Sequence, residues 1–300
     1  MKIMLFGTGA SAHEFLRAAR ETPGVEVVRI VTSSSDPMAR HHEAEVDLFD
    51  RLSEQDLLNR AREAKPDVLM SVTSPYLFKD AWLELPKVGA FNLHPSALPR
   101  FAGFYPFVWS IIQGATEHGV TVHRMTPRVD AGAIVGQSRF PISAKESGVS
   151  LYMKCVKATP GLARELLSGL TSGSLKEIPQ DLSQRSYFRK RVPLDGKASF
   201  SWEAPVLERA VRAFSFAPFP SPIGALYVEL STGQKVSLDA VELDDGARSG
   251  VAGTLLGYDG DDALIACGSG CLRVRRLERR PARELLEQAG ASMSSQAFSA

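Results

Sequence analysis

Short aliphatic and β-branched runs alternate with helix-patterned stretches over the first 93 residues, and this alternation limits the possible fold more than any other feature of the chain. Runs at 2–7, 25–32, 67–72 and 88–93 read as strands, with helices at 11–20, 53–64 and 77–85 between them. Strands joined by helical connections pair in parallel, because a tight hairpin cannot link parallel neighbours. Apolar residues in SAHEFLRAAR and SEQDLLNRAREA recur at helical spacing, and Ser53 stands where its hydroxyl can cap the second of these helices. The predicted amino-terminal unit is an α/β parallel sheet with crossover helices.

The remainder predicts a second unit. After Leu93 comes a loop rich in proline and glycine from Pro95 to Gly103, then a helix over 105–113 and the alternating strand GVTVHRM. Residues 147–170 read as a long helix that Pro160 kinks or interrupts, since proline lacks the amide a helix interior needs. From 171 to 200 the chain turns polar. Beyond it, WEAPVLERAVRAF reads as a helix, and ALYVEL, QKVSLDAVEL, VAGTLLGY, DALIACG and CLRVRRL read as short strands of a small barrel. With 300 residues the chain suits two cores, because single cores stop growing near roughly 250–300 residues. The expected organisation is a first domain over 1–180, a linker over 181–197 and a second domain over 198–290.

Charge and composition exclude several partners. Thirty-five basic and 34 acidic residues leave a formal net charge of +1, so no global field draws the chain to nucleic acid or an anionic membrane. No apolar run approaches the length of a membrane span. The opening MKIMLFGTGA meets a glycine turn too early for a signal peptide, and a cytoplasmic location is expected. Cys155, Cys267 and Cys271 read as buried thiols of a reducing compartment, because the C-x3-C pair has no histidines nearby to complete a zinc site. No metal is expected.

Gly7, Gly9 and Ala12 satisfy G-x-G-x-x-A directly after a strand, the pattern of a dinucleotide-binding turn. Its second half requires an acidic residue near the end of the next strand, which here ends in Val31-Thr32-Ser33-Ser34, with Asp36 arriving late. The turn reads as a tight strand-to-helix bend, with nicotinamide binding and a role in shaping an acceptor site as the other readings.

The chemistry concentrates further on. Asn92 and His94 stand two residues apart at a strand end, so their side chains share one side. A carboxamide can stabilise a developing oxyanion and an imidazole can move a proton near neutral pH, the two services acyl transfer to an amine requires. Asp130, in a turn closed by Gly132, can orient that imidazole and favour its charged form. From spacing alone, a loop histidine with satisfied hydrogen bonds remains an open alternative.

Taken together, FNLHPSALP, GVTVHRM and RVDAGAIV resemble the folate-dependent formyltransferase family, which includes methionyl-tRNA formyltransferase and enzymes acting on nucleotide-linked amino sugars. HRMTPRVDAGAIVGQ and DALIACGSGCLRV resemble in particular the formyltransferase domain for UDP-4-amino-4-deoxy-L-arabinose. The resemblance implies a Rossmann-like amino-terminal domain that binds folate rather than a dinucleotide, an OB-like carboxyl-terminal barrel and 10-formyltetrahydrofolate as formyl donor. It also implies that Asn92 stabilises the tetrahedral intermediate, that His94 serves as base or relay, and that Asp130 tunes it. By the same resemblance Tyr76, Leu77 and Phe78 form the pterin-side wall, and Thr126, Pro127, Arg128 and Val129 form the loop gripping the pterin edge. Without it, Tyr76 and Phe78 read as core aromatics.

Relatives carry a Y-R-G-R-A-P pattern where this chain has Phe101-Ala102-Gly103-Phe104-Tyr105-Pro106. The loss of two arginines weakens the case for a diphosphate-linked acceptor and suggests a stacking contact, for which Phe104 is the candidate. Phe104 and Tyr105 as packing residues are the other reading. The segment TSSSDPMARHHEAEVDLFD lacks the cations a transfer RNA needs. RVRRLERRPAR is a solvated basic face or a source of RNA contacts. A small amine is therefore the expected acceptor, an amino sugar or hydroxyornithine-like precursor. Methionyl-tRNA is the disfavoured alternative, and a hydrolase passing the formyl group to water is less favoured still. Oligomeric state is not legible.

Overall fold

Seven strands form one twisted sheet whose centre is made by the amino-terminal alternation. In this computed structural model, residues 1–41, 46–246, 248–291 and 296–298 are described. Contacts divide the chain into two compact units: Met1–Pro106, Glu117–Pro141 and Tyr152–Arg189 form one, and Phe107–Thr116, Ile142–Leu151 and Lys190–Ala300 form the other.

In chain order the elements are β1 (Lys2–Gly7), α1 (Gly9–Glu21), β2 (Glu26–Thr32), α2 (Met38–His41), β3 (Val46–Leu48), α3 (Glu54–Ala64), β4 (Val68–Val72), α4 (Asp80–Leu83) and β5 (Gly89–His94). They continue with β6 (Ala102–Gly103), α5 (Pro106–Ile112), β7 (Glu117–Arg124), β8 (Ile134–Pro141), α6 (Gly148–Ser172) and β9 (Tyr187–Phe188). The sheet order is β3-β2-β1-β4-β5-β7-β8. Its first five strands are parallel, in the doubly wound order that reverses between β1 and β4. β7 and β8 add antiparallel at one edge. Because β1 and β4 are buried on both faces, they read as nearly continuous apolar runs. One face packs Ile3, Leu5, Phe15, Met70, Phe91, Leu93, Leu162 and Leu166; the other packs Met4, Phe6, Leu57, Leu69, Trp82 and Ala90.

Ser53 caps α3, its hydroxyl accepting from the Asp56 amide at 3.1 Å. The expected helix over 77–85 is only Asp80–Leu83. The preceding residues lie outside regular structure and carry Tyr76 and Phe78 into an aromatic cluster with Phe6 and Trp82, so tertiary packing overrides local propensity. The expected interruption at Pro160 does not occur: α6 runs through it. Buried Cys155, Leu162, Ala163, Leu166 and Leu167 hold both halves to the sheet, while Gly161 beside the proline has open space.

His118 on β7 is buried, and its Nε2 meets the Pro95 carbonyl at 2.8 Å. Burial pushes its imidazole down to about 4, so the folded ring is neutral. The unfolded chain takes a proton near 6.5 and the folded chain only near 4; stability is therefore full above pH 6.5 and is lost as pH falls between these values. His118→Gln keeps a donor for Pro95 and removes the titration. Urea unfolding at pH 7.5 and pH 4.5 is expected to show wild type losing on the order of 3 kcal/mol more than this variant.

The second unit holds α7 (Ala204–Phe214), β10 (Tyr227–Glu229), β11 (Lys235–Leu243), β12 (Leu255–Asp259), β13 (Asp262–Ala266), β14 (Cys271–Leu277), β15 (Arg280–Pro281) and α8 (Ala282–Gln288). Its antiparallel sheet runs β10-β11-β14-β13-β12, with β15 on β14. Gln296–Phe298 bridges the two edges: Phe298 pairs with Leu230 beyond β10, and Gln296 pairs with Thr254 before β12. These bridges link the edges of the sheet, in keeping with the predicted small barrel. Cys155, Cys267 and Cys271 are free and buried.

Candidate active site

Strand alternation puts Asn92 and His94 on the sheet face of Ala90, and the antiparallel register of β5 with β7 sets His123 directly opposite Asn92. Asp130 reaches the same place from the turn after β7, with φ of 51°. Gly132 is required in that turn, since a Cβ there would lie 1.9 Å from the Arg124 carbonyl oxygen. Gln180 holds the turn through its amide, which donates to the carbonyls of Asp130 at 3.1 Å and Gly132 at 2.7 Å.

Four side chains converge. Asn92 Nδ2 donates to Asp130 Oδ1 at 3.3 Å and lies 3.2 Å from His123 Nε2. His123 Nε2 is 3.3 Å from the same carboxylate oxygen, and His94 Nδ1 is 3.6 Å from the other. The Gly103 amide donates to Asp130 Oδ2 at 2.8 Å. Burial alone would raise the Asp130 carboxyl, but the facing His94, the His123 contact and the Gly103 amide outweigh it and hold the group well below the usual carboxylate range. His94 is itself buried, and its Nε2 faces the Phe101 carbonyl at 3.0 Å. Asp130 therefore bridges two imidazoles, one on each oxygen.

The loop after His94 is tied down from several sides. Thr121 Oγ1 donates to Ser96 O at 2.7 Å and accepts from the Leu98 amide, while β6 pairs with β9. Phe101 and Tyr105 both have φ above 50°, a conformation costly for such side chains and frequent where loops are built for function.

Of the expected donor-site residues, Tyr76 and Phe78 are half-buried in the aromatic cluster on the face that carries Asn92 and His94. Leu77 between them is 63% exposed. Thr126, Pro127, Arg128 and Val129 are exposed in the stretch between β7 and Asp130, with Thr126 Oγ1 donating to Arg128 O at 2.9 Å and Arg185 Nη2 donating to Val129 O at 2.9 Å. Phe104 is half-buried just beyond β6, its amide donating to Phe188 O. Aromatic faces beside an exposed backbone loop suit a flat heterocycle with hydrogen-bonding edges. An open depression of about 420 Å³ by the amino ends of β4 and β5, lined by Arg62, Lys65, Glu84 and Lys87 among others, includes none of the converging groups; the polar constellation is the better guide to chemistry.

His123 and Gln180 escape sequence reasoning. His123 stands in plain view in GVTVHRM, and an antiparallel pairing of that strand with FNLH would have found it; nothing local marks Gln180. The glycine turn also differs from a dinucleotide site. The Gly9 amide donates to Asp36 Oδ2 at 2.6 Å, the Ala10 amide donates to the Tyr152 hydroxyl at 3.3 Å, and His13 Nε2 lies 3.1 Å from Asp36 Oδ1. The amides that would cradle a pyrophosphate are already bonded within the chain.

In the basic run, Arg273 faces Asp259, Asp244 and Asp262, Arg275 faces Glu242 and Asp262, Arg280 faces Glu284, and Arg283 faces Glu287. These cations are neutralised by neighbouring acids, as on an ordinary solvated face. No helix among the described residues is long and apolar enough to cross a membrane.

Comparison with known proteins gives two family matches, Formyl transferase over residues 1–165 and Formyl transferase, C-terminal domain over residues 192–288. WlaRD, a sugar 3N-formyl transferase solved in the presence of dTDP and 5-N-formyl-THF, superposes with a TM-score of 0.68 at 18% identity, over 91% of this chain and 96% of that one. The N-formyltransferase from Helicobacter canadensis, in complex with folinic acid and dTDP-3-aminofucose, gives 0.68 at 17% identity over 91% and 98%. HypX from Aquifex aeolicus, in complex with tetrahydrofolic acid, gives 0.66 at 17% identity over 100% of this chain, which spans 51% of HypX. At these identities the solved structures establish the fold.

Proposed function

Because the chain belongs to the formyl transferase family, with matches to both its models, we propose that it transfers a formyl group from 10-formyltetrahydrofolate to the amine of a small molecule. The acceptor classes that fit are a nucleotide-linked amino sugar and a hydroxyornithine-like precursor. The observation that carries this reading is the convergence of Asn92, His94 and His123 on Asp130, beside a face lined by Tyr76 and Phe78. The folate ligands of the WlaRD and Helicobacter canadensis structures, with dTDP in the first and dTDP-3-aminofucose in the second, support the same reading.

In this reading a bond forms between the neutral acceptor amine and the formyl carbon, and the bond from that carbon to the folate N10 breaks. The amine loses a proton and the departing nitrogen gains one. Asn92 supplies an N–H to the oxyanion; its two bonds, at 3.2 and 3.3 Å, are long enough for one to be exchanged for a charged acceptor. Charged Asp130 stabilises positive charge on the imidazoles as the proton moves. Tyr76, Leu77, Phe78 and Phe104 offer flat or apolar contacts to the donor, and Thr126, Pro127, Arg128 and Val129 offer backbone groups to its edge. Methionyl-tRNA as acceptor is not carried further, because Arg273, Arg275, Arg280 and Arg283 of the basic run face carboxylates.

The test is an acceptor screen with purified protein and 10-formyltetrahydrofolate, followed by mass spectrometry. The expected result is a gain of one formyl group on a small amine, with stoichiometric tetrahydrofolate. Release of formate without any acceptor would assign a hydrolase instead, and saturable NADH binding without folate binding would end the reading.

A further inference from the structure

We infer that residues 178–188 form a positioning strap for the catalytic turn: Gln180 acts on turnover by fixing the backbone of Asp130, and Arg185 acts on donor binding by fixing the Val129 carbonyl. The inference rests on the formyl-transfer reading, which assigns tasks to Asp130 and to the stretch before it. Strap, turn and the loop after His94 all lie in the first compact unit.

The turn does not support itself. Asp130 has φ of 51°, a left-handed backbone that a residue with a Cβ adopts at a cost. Among the described residues, the bonds that 126–132 make to one another both end on the Arg128 carbonyl, from Thr126 Oγ1 at 2.9 Å and from the Ala131 amide at 3.3 Å. The carbonyls of Val129, Asp130 and Gly132 are met from the strap: Arg185 Nη2 donates to the first at 2.9 Å, and Gln180 Nε2 donates to the other two at 3.1 and 2.7 Å.

Both carbonyls facing Gln180 can only accept, so its nitrogen points at them and its Oε1 lies buried without a partner. An apolar side chain of that length would avoid the unmet oxygen; what it could not supply is the pair of N–H donors. Arg185 is half-buried, stacks 4.7 Å over the Tyr187 ring and faces no carboxylate among the described residues, so its guanidinium serves the backbone of the turn. Both ends of the strap are anchored. Ile178 exchanges two backbone bonds of 2.8 Å with Ile134, while Ser186 accepts from the Phe101 amide through Oγ at 2.7 Å and from the Ala102 amide through its carbonyl at 2.9 Å.

Gln180→Met keeps the length and removes the donors. With the acceptor found by the screen, it is expected to lower kcat about 10–100-fold with the donor KM little changed, and to cost less than about twofold in an Asp130→Ala background, where no carboxylate is left to place. Arg185→Met is expected to weaken binding of 5-formyltetrahydrofolate, read by fluorescence titration, about 5–20-fold, whereas Arg185→Lys keeps a donor for Val129 and stays within about threefold. A kcat near wild type in Gln180→Met, the full loss repeated in the Asp130→Ala background, unchanged folate binding in Arg185→Met, or a lysine variant as weak as the methionine one would overturn the inference. Should Gln180→Met not fold, Gln180→Asn, one carbon short of the two carbonyls, takes its place. A wild-type chain that transfers no formyl group to any amine would sink the functional reading instead, and urea unfolding would then judge the strap. Asp130→Asn should move the midpoint about half as far in the Gln180→Met background as in wild type, and an equal shift would overturn it.

Discussion

Replacing Asp130 by alanine is expected to reduce kcat by about 10³–10⁴, the scale seen when the carboxylate that orients a catalytic imidazole is removed. The side chain is 7% exposed and both its oxygens are engaged. Its loss leaves two imidazoles without their anion and the Gly103 and Asn92 donors without an acceptor. Removing one member of a buried charged set costs about 3–5 kcal/mol, so urea unfolding should show a loss of that order as well. Asp130→Asn separates the two effects by keeping the shape and removing the charge.

The pH dependence has a defined sign. The carboxyl is depressed in the folded state, so its contribution is complete above the unfolded value of 3.8 and is lost as pH falls toward the folded one. The stability gap between wild type and Asp130→Asn should stay level above about pH 5 and narrow below 3.8. A gap that widened in acid, or an Asp130→Ala enzyme with near-normal turnover, would remove Asp130 from the centre of the mechanism.

Asn92→Ala is expected to lower kcat by about 10²–10³, the loss measured for a single oxyanion donor in the best-studied acyl-transfer case. Structure should survive: Asn92 is only half-buried, and its backbone pairing with β4 and β7 does not depend on the side chain. Circular dichroism and the urea midpoint should stay close to wild type while single-turnover formyl transfer slows. The donor KM should change little, because an interaction made mainly in the transition state lowers kcat rather than ground-state binding. If Asn92→Ala instead raised KM with kcat intact, its amide would be a binding group.

What could be read in the sequence was what local spacing dictates. Two residues along a strand put Asn92 and His94 on one side, and alternation with helices gave the parallel centre of the sheet and the short strands of the barrel. What could not be read depends on pairing between distant segments. α5 between β5 and β7 looks like a crossover helix, so nothing local marks β7 as antiparallel, and with that register His123 was lost. Gln180 reaches Asp130 across 50 residues, and Asp36 reaches Gly9 across 27, through contacts no motif encodes. Phe78 lies in a stretch patterned for helix, yet with Tyr76 it joins the rings of Phe6 and Trp82, a contact between distant segments.

Asp36 has a consequence for what this architecture can accept at its first crossover. Doubly wound sheets offer visiting phosphates a ring of hydrogen donors at that corner, and here the protein fills the vacancy with an anion of its own. An incoming diphosphate would have to evict a negative charge braced by His13 and the Met38 amide before it could settle. The corner is thus a door locked from inside against a second anion.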